Sequence, residues 1–301
     1  MKILVIGGTY FLGRVFTIMA SREHELTLIH RGRYSMDRYP VREYHFDRKN
    51  PQGWQQLPKE DYDVVVDFCA YDPKDIQIMI ENYLGNIKKY IFISTCDVYQ
   101  RQTKQIKDEL HPLEVHHYSG EVGDYIANKI LLEKELMTLS KQHSFEYTIL
   151  RPGMIYGPYN YAPRETTWIE RIVNHLPLVK LTDNTGEFQM VYVKDVVNAI
   201  LACLNHPTNG KIYNIVGKEI LNYERLLVYF EKISDEKISY VVMNSREALA
   251  KQLPLPFPIY DHETELYNGQ KICDELNLTY TSLEDGLKIT YEAFVPVFKH
   301  D

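Results

Sequence analysis

The chain has 301 residues, 45% hydrophobic and 25% charged, which suffices for a large core held either in one big domain or in a sheet domain with a smaller partner, and argues against disorder. A net charge of −7 carries no basic excess, so wholesale binding of nucleic acid or of an anionic membrane is disfavoured. No apolar segment approaches the length of a bilayer span and Met1 runs straight into an apolar strand, so the expectation is a cytoplasmic protein without membrane contact.

Lys2–Ile6 is a continuous apolar run of strand length, followed by Gly7, Gly8, Thr9, Tyr10, Phe11, Leu12 and Gly13, after which apolar residues return at helical spacing. A strand, glycine turn and helix in this order let the backbone approach a diphosphate, with the helix-start N–H groups and dipole facing the anion. Those seven residues are therefore candidate dinucleotide contacts. Residues 26–29 predict the second strand, whose end would meet the adenosine ribose; His30 and Arg31 stand there. An acid at that place suits the 2′-hydroxyl of NAD, whereas Arg31, with Arg33 beside it, suits a 2′-phosphate. NADP(H) is accordingly favoured over NAD(H), the alternative being a solvated basic turn.

Residues 44–46 form a short strand candidate ending at Asp47, and residues 63–67 a clear one leading into Phe68, Cys69, Ala70 and Tyr71. Small residues at that exit would let a cofactor lie across the strand ends. A helix is predicted over 74–83 after Pro73, then a strand over 89–93 that ends in Ser94, Thr95, Cys96 and Asp97. Strands and helices alternating in this way predict a doubly wound α/β fold, a parallel sheet covered on both faces. Ligands bind at the carboxyl ends of such strands, which places Ser94 to Asp97 where chemistry would occur.

Residues 100–121 are polar and aperiodic and read as a loop, and Asp124 opens a helix to about Leu139. Tyr125 and Lys129, four apart, share a face of that helix; an ammonium near a phenol lowers its pKa and lets it exchange a proton with a substrate oxygen. In a tyrosine-rich chain the spacing alone also fits a surface pair. A short helix over 166–173, a longer one over 194–204 returning to the sheet and a strand over 210–216 follow, then a smaller cap with elements at 223–233, 238–242 and 245–252. Pro254, Pro256 and Pro258 predict an extended surface connection, and Thr281 with Glu284 a capping box for the last helix. The domain reading is a dinucleotide-binding core over 1–158, with 188–217 returning to the sheet, and a substrate-binding cap from 159–187 and 218–301. Cys69, Cys96, Cys203 and Cys273 are widely separated and His116 and His117 do not share a helix face, so neither a disulfide framework nor a metal site is signalled.

Taken together, residues 7–13, Asp47, 63–71, 94–99, 125–129, 150–158 and 191–196, with weaker matches over 271–277 and 281–287, resemble the short-chain dehydrogenase/reductase superfamily in its extended, Rossmann-type form of nucleotide-sugar epimerases and dehydratases. The matches fall in the family's order. The resemblance implies that Thr95 orients the substrate hydroxyl or carbonyl, Tyr125 is the acid/base, and Lys129 holds the nicotinamide ribose and tunes Tyr125. It also implies that Asp47 faces the adenine and that Pro152 to Ile155 border the nicotinamide. The implied activity is hydride transfer at a hydroxyl or keto carbon of a nucleotide-activated sugar, by an NAD(P)-dependent epimerase or ketosugar reductase, with a homodimer by analogy.

Several positions depart from that pattern. Tyr10 replaces the middle glycine, as in the atypical branch containing the chloroplast stem-loop-binding proteins. That prompts a second reading, a nucleic-acid-binding or regulatory protein on a dinucleotide fold, against which the acidic balance and the Thr95, Tyr125, Lys129 set argue. The dehydratases' Asp-Glu pair after the threonine is Cys96 and Asp97; a thiol is a poor acid there, while Asp97 could serve as a base. The arginine that commonly grips the diphosphate is Phe188, followed by Gln189, which leaves Arg164, Arg171 and Gln189 as substrate candidates.

Overall fold

A computed structural model describes residues 1–101, 105–234 and 237–299. The elements in order are β1 (Lys2–Ile6), α1 (Phe11–Ala20), β2 (Glu25–His30), β3 (Val41–His45), α2 (Pro51–Gln55), β4 (Tyr62–Asp67), α3 (Asp75–Asn82), β5 (Ile87–Ile93), α4 (Glu121–His143), β6 (Glu146–Pro152), β7 (Met154–Tyr156), α5 (Glu165–Val173), β8 (Leu178–Leu181), β9 (Phe188–Tyr192), α6 (Val193–Asn205), β10 (Lys211–Ile215), β11 (Ile220–Leu221), α7 (Tyr223–Ile233), β12 (Tyr240–Met243), α8 (Ser245–Ala250), α9 (Gln270–Leu276) and α10 (Leu283–Phe298).

Seven strands form one parallel sheet in the order β10-β6-β5-β4-β1-β2-β3. The alternating residues of β1 explain its central place. Ile3 and Val5 pack with Phe16 of α1 and Ile200 of α6 on one face, while Leu4 and Ile6 pack with Trp54, Met79 and Leu136 on the other. A strand buried on both faces reads as unbroken apolar sequence, which is why its bounds match the expectation. The chain leaves β1 toward β3 and returns on the other side to β4, so a crevice opens at the carboxyl ends between β1 and β4.

Outside the main sheet lie a three-stranded sheet, β11-β9-β7, and the pair β12-β8. This corrects the expectation that all of 188–217 rejoins the main sheet: β9 pairs with β7 and β11, and α6 and β10 make the return. Phe257, from the proline-rich connection, is buried against Phe188 and Trp168, so that stretch is a core anchor as well as a link. Three helix starts also differ. Lys74 sits at φ +71°, outside helical space, and α3 begins at Asp75, whose carboxylate accepts the Tyr71 and Asp72 N–H groups. α4 begins at Glu121, after Gly120 at φ +95°. Ser282 caps α10 by accepting from the Asp285 N–H, because Thr281 is spent on Asp195, 2.8 Å from both its N and its Oγ1. In the expected loop over 100–121, Lys107 bridges to Tyr267 and is fully buried, while residues 102–104 lie outside the described residues. Among the described residues no helix is long and apolar enough to cross a membrane.

Candidate active site

A cavity of about 940 Å³ runs along the carboxyl ends of β1, β2, β4, β5 and β6 and reaches the cap. Its first wall is the glycine turn. Gly7 has φ +86°, and a Cβ there would meet Cys69 Sγ at 2.9 Å; a Cβ on Gly13 would meet the Gly7 carbonyl at 2.4 Å, so only glycine lets α1 come this close. Thr9, Tyr10, Phe11 and Leu12 also line the cavity. Gly8 does not: it faces Thr17 and Val5, where a Cβ would collide with both, and its carbonyl accepts the Thr17 hydroxyl at 2.8 Å. Gly8 thus serves helix-to-strand packing, on the side of the turn away from the cavity.

At the end of β2, His30, Arg31 and Arg33 line the cavity, as does Asp47 after β3. His30 accepts the Gly32 N–H at Nδ1 (3.1 Å), which leaves Nε2 to donate to Glu43 (2.7 Å), and burial pushes the imidazole below its usual range. Glu43 also accepts from Ser35 Oγ and the Met36 N–H, tying down the loop that carries Arg31 and Arg33. Beneath Asp47, buried Arg48 makes a two-pronged pair with Asp67 (2.7 and 2.8 Å). Burial alone would raise the Asp67 carboxyl, but Arg48 and the Tyr90 hydroxyl outweigh it and hold the carboxyl low.

Ser94, Thr95, Asp97, Tyr125, Lys129, Pro152 and Ile155 meet on the opposite wall. Ser94 donates to Glu133 (2.6 Å), which is itself paired with buried Arg151. Thr95 Oγ1 lies 3.1 Å from an Asp97 carboxylate oxygen and also bonds Tyr125. Burial, then the negative Asp97, push the Tyr125 phenol above its usual value, with the Thr95 bond pulling the other way. This reverses the expected lowering by Lys129. The ammonium stands 5.8 Å from the Tyr125 ring and donates instead to the carbonyls of Ala70 and Ile93, both at 2.9 Å. Burial brings Lys129 down to about 8. Ala70, expected to touch cofactor, is fully buried and serves as that carbonyl acceptor, while Cys69 and Tyr71 line the cavity.

A model described as the NAD dependent epimerase/dehydratase family matches residues 3–216. The chain belongs to that family. It is 28% identical over 242 residues to the chloroplast stem-loop binding protein of 41 kDa b of Arabidopsis thaliana, covering 75% of this chain and 61% of the relative. It is 26% identical over 235 residues to a UDP-glucose 4-epimerase of Vibrio cholerae, covering 70% and 64%. The chain thus spans just under two thirds of the length of these curated relatives. Among solved structures it is similar to a UDP-glucose 4-epimerase of Thermotoga maritima with UDP-glucose (TM-score 0.79, 20% identity, 99% of each chain). It is also similar to a UDP-glucuronic acid 4-epimerase of Bacillus cereus in complex with NAD (TM-score 0.78, 20% identity, 100% and 99%). At that identity the likeness shows the fold.

For this member of the epimerase/dehydratase family the substrate end departs furthest from expectation. Cys96 is fully turned from the cavity, its thiol donating to the Arg151 carbonyl at 3.0 Å, so it is no acid for the site. Gln189 is on the wall, but its amide is used at both ends, donating to the Gly217 carbonyl and accepting the Tyr267 N–H. Arg171 is bonded to the Pro177 carbonyl, off the wall. Arg164 is on it, bonded to the Ile155 carbonyl, with its buried Nε unpartnered. The sequence reading missed Arg48, Arg101, Glu263, Glu265 and Tyr267, which also line the cavity. It missed as well the trio His30, Glu43 and His45, whose ligand atoms lie within 4.8 Å of one another. The trio comes from two strands paired in register, which no local spacing announces.

Proposed function

We propose that this chain is an NAD(P)-dependent oxidoreductase acting at a hydroxyl or keto carbon of a nucleotide-activated sugar, as an epimerase or a ketosugar reductase. One observation carries the reading: Thr95, Asp97, Tyr125 and Lys129 share a cavity whose far end is the glycine turn. That cavity fits a dinucleotide, since Gly7 and Gly13 bring the backbone of the turn close to the start of α1, with no side chain at either position in the way. Gly7, Thr9 and the first residues of α1 would hold the diphosphate, Asp47 the adenine, and Lys129 the nicotinamide ribose. When bound, the nicotinamide supplies the hydride acceptor or donor.

Tyr125 moves the proton. Burial and Asp97 keep its phenol protonated, which suits it to donate to a keto oxygen, and Thr95 aligns that oxygen from the same side. Asp97 holds the Thr95 hydroxyl, 3.1 Å away, in place for that contact. Arg164, with Nε unspent, is the cation for the substrate's phosphate. Arg31 and Arg33 make no ion pair among the described residues, and the nearby carboxylate of Glu43 is taken up by His30, Ser35 and Met36, so the two guanidinium groups favour NADP(H). A cytoplasmic homodimer completes the reading by family analogy.

The test is titration of purified protein with NADH and NADPH, followed by turnover of UDP-sugars and their keto forms. Binding and turnover, both lost in activity but not in binding on Tyr125→Phe, support the assignment. Unchanged turnover in that variant removes Tyr125 from the mechanism. Salt-sensitive RNA binding with no turnover would favour the nucleic-acid reading instead.

A further inference from the structure

Tyr10 occupies the place where the family's turn carries its middle glycine, and its backbone explains why a large residue is tolerated. It is extended (φ −128°, ψ 140°) and requires no glycine. Its half-exposed ring stands at the cavity edge, stacked on Tyr34 of the β2–β3 loop with centroids 6.0 Å apart and against Tyr161 of the β7–α5 loop at 5.6 Å. One guanidinium braces the cluster, Arg33 over Tyr34 at 5.4 Å, and Arg14 of α1 lies over Tyr159, two residues before Tyr161, at 5.3 Å. Three segments far apart in sequence, the diphosphate turn, the adenosine-side loop and the limb leading into the cap, are therefore joined by aromatic contacts in solvent.

The backbone is strained where two of these limbs begin. Phe11 has φ +36° and Tyr159 φ +67°, both in the region that bulky residues avoid. Such strain persists only where surrounding contacts enforce it, and it gathers at clamps and switches. Exposed rings also gain from meeting one another, since stacked aromatic pairs hold beyond the area they bury. Tyr34 and Tyr10 both line the cavity, beside the glycine turn and beside Arg33, and Tyr161 packs on Tyr10 from outside the lining.

We propose that Tyr10, Tyr34 and Tyr161 form an aromatic clamp that closes the diphosphate end of the cavity and retains the dinucleotide between turnovers. The proposal rests on the reading that the cavity holds a nicotinamide dinucleotide. Release requires parting Tyr10 from both neighbours, so the clamp slows dissociation more than it changes what is recognised. A retained cofactor suits a cycle that returns the hydride to the molecule it came from, the epimerase branch of the proposed function.

The experiment is a chase: protein loaded with NADH or NADPH is mixed with excess oxidised nucleotide, and release is followed by the loss of bound nicotinamide fluorescence. Tyr10→Gly and Tyr161→Ala are expected to speed release about tenfold, the size of one or two lost aromatic pairs, while Tyr10→Phe stays within about twofold of the parent. Tyr161→Ala lies on an exposed loop, so it reports even if Tyr10→Gly misfolds. Release rates that ignore both ring deletions overturn the clamp alone. A parent protein that binds neither nucleotide overturns the cavity reading and the clamp with it.

Discussion

At Gly7 and Gly13 the cavity wall is backbone brought into close contact, while Tyr10, Arg31 and Arg33 stand along its edge. Elsewhere it is long polar side chains drawn from both halves of the chain, such as Arg101, Arg164 and Glu265. The first wall is fixed by close approach: Gly13 has no room for a methyl group, and Gly7 barely more. The second is fixed by charge pairing, with buried Lys107 held by Glu265 beside it. A backbone wall accepts one shape of ligand and tolerates little change, whereas a wall of paired side chains is rewritten by single substitutions. Phe188, where the resemblance leads one to expect an arginine, is stacked on Phe257 at 4.6 Å and is such a change.

The largest effect expected is at the Tyr125 phenol, to which the proposed function assigns the proton. Tyr125→Phe should lower turnover by about 10²- to 10⁴-fold, the usual worth of a positioned acid/base, and leave the dissociation constant for NADH or NADPH unchanged. Equal losses in binding and turnover would place Tyr125 on the binding wall instead.

Close behind is the buried pair that supports the catalytic wall from below. Glu133→Ala strands the Arg151 guanidinium in the core and frees Ser94, so unfolding should require about 3–5 kcal/mol less, read by denaturant melts. Gly13→Ala tests the backbone wall directly: the methyl group must push α1 off the turn, which should cost about 1–3 kcal/mol and weaken dinucleotide binding together with stability. An alanine variant with parental binding would show that the close approach does not shape the cradle.

Lys129 gives the comparison a pH axis. Its folded value of about 8 lies below the usual lysine value, so between these the unfolded chain holds more protons and stability should rise with pH from about 8 toward 10.5. Activity should run the other way. Loss of the ammonium above about pH 8 removes the charge that the proposed function sets against the nicotinamide ribose, and kcat/KM should fall there. Lys129→Arg should move that limb out of range, because a guanidinium stays charged. A limb unchanged by the substitution would assign it to another group.

How far the residues alone lead follows the same division. β1, the turn, and the helix bearing Tyr125 and Lys129 were readable because their signals are local: an apolar run buried on both faces, glycines at fixed spacing, two residues on one helical face. What escaped depends on partners distant in the chain. Ser282 rather than Thr281 caps the last helix because Asp195 claims Thr281. Lys129 fails to lower Tyr125 because the ends of β5 and of the Cys69–Ala70 exit offer it two carbonyls. Glu43 and Arg48 have no motif; they matter because β3 pairs with β2 and Asp67 needs a cation.

The smallest effect expected concerns which dinucleotide the backbone wall prefers. Arg31 and Arg33 are exposed, so each contact to a phosphate is partly screened by water and salt. Arg31→Ala should weaken NADPH binding by about tenfold and NADH binding hardly at all, shifting only their ratio. Glu43→Ala offers a sharper version, because it releases the whole loop without touching a guanidinium: His30, Ser35 and Met36 each lose the carboxylate that holds them. If the preference comes from guanidinium groups held in place, both substitutions should lower the NADPH-to-NADH ratio. If only Arg31→Ala does, charge near the mouth suffices and the loop's order is incidental. If neither does, the phosphate is read elsewhere and the missing acid at the end of β2 explains nothing about cofactor choice.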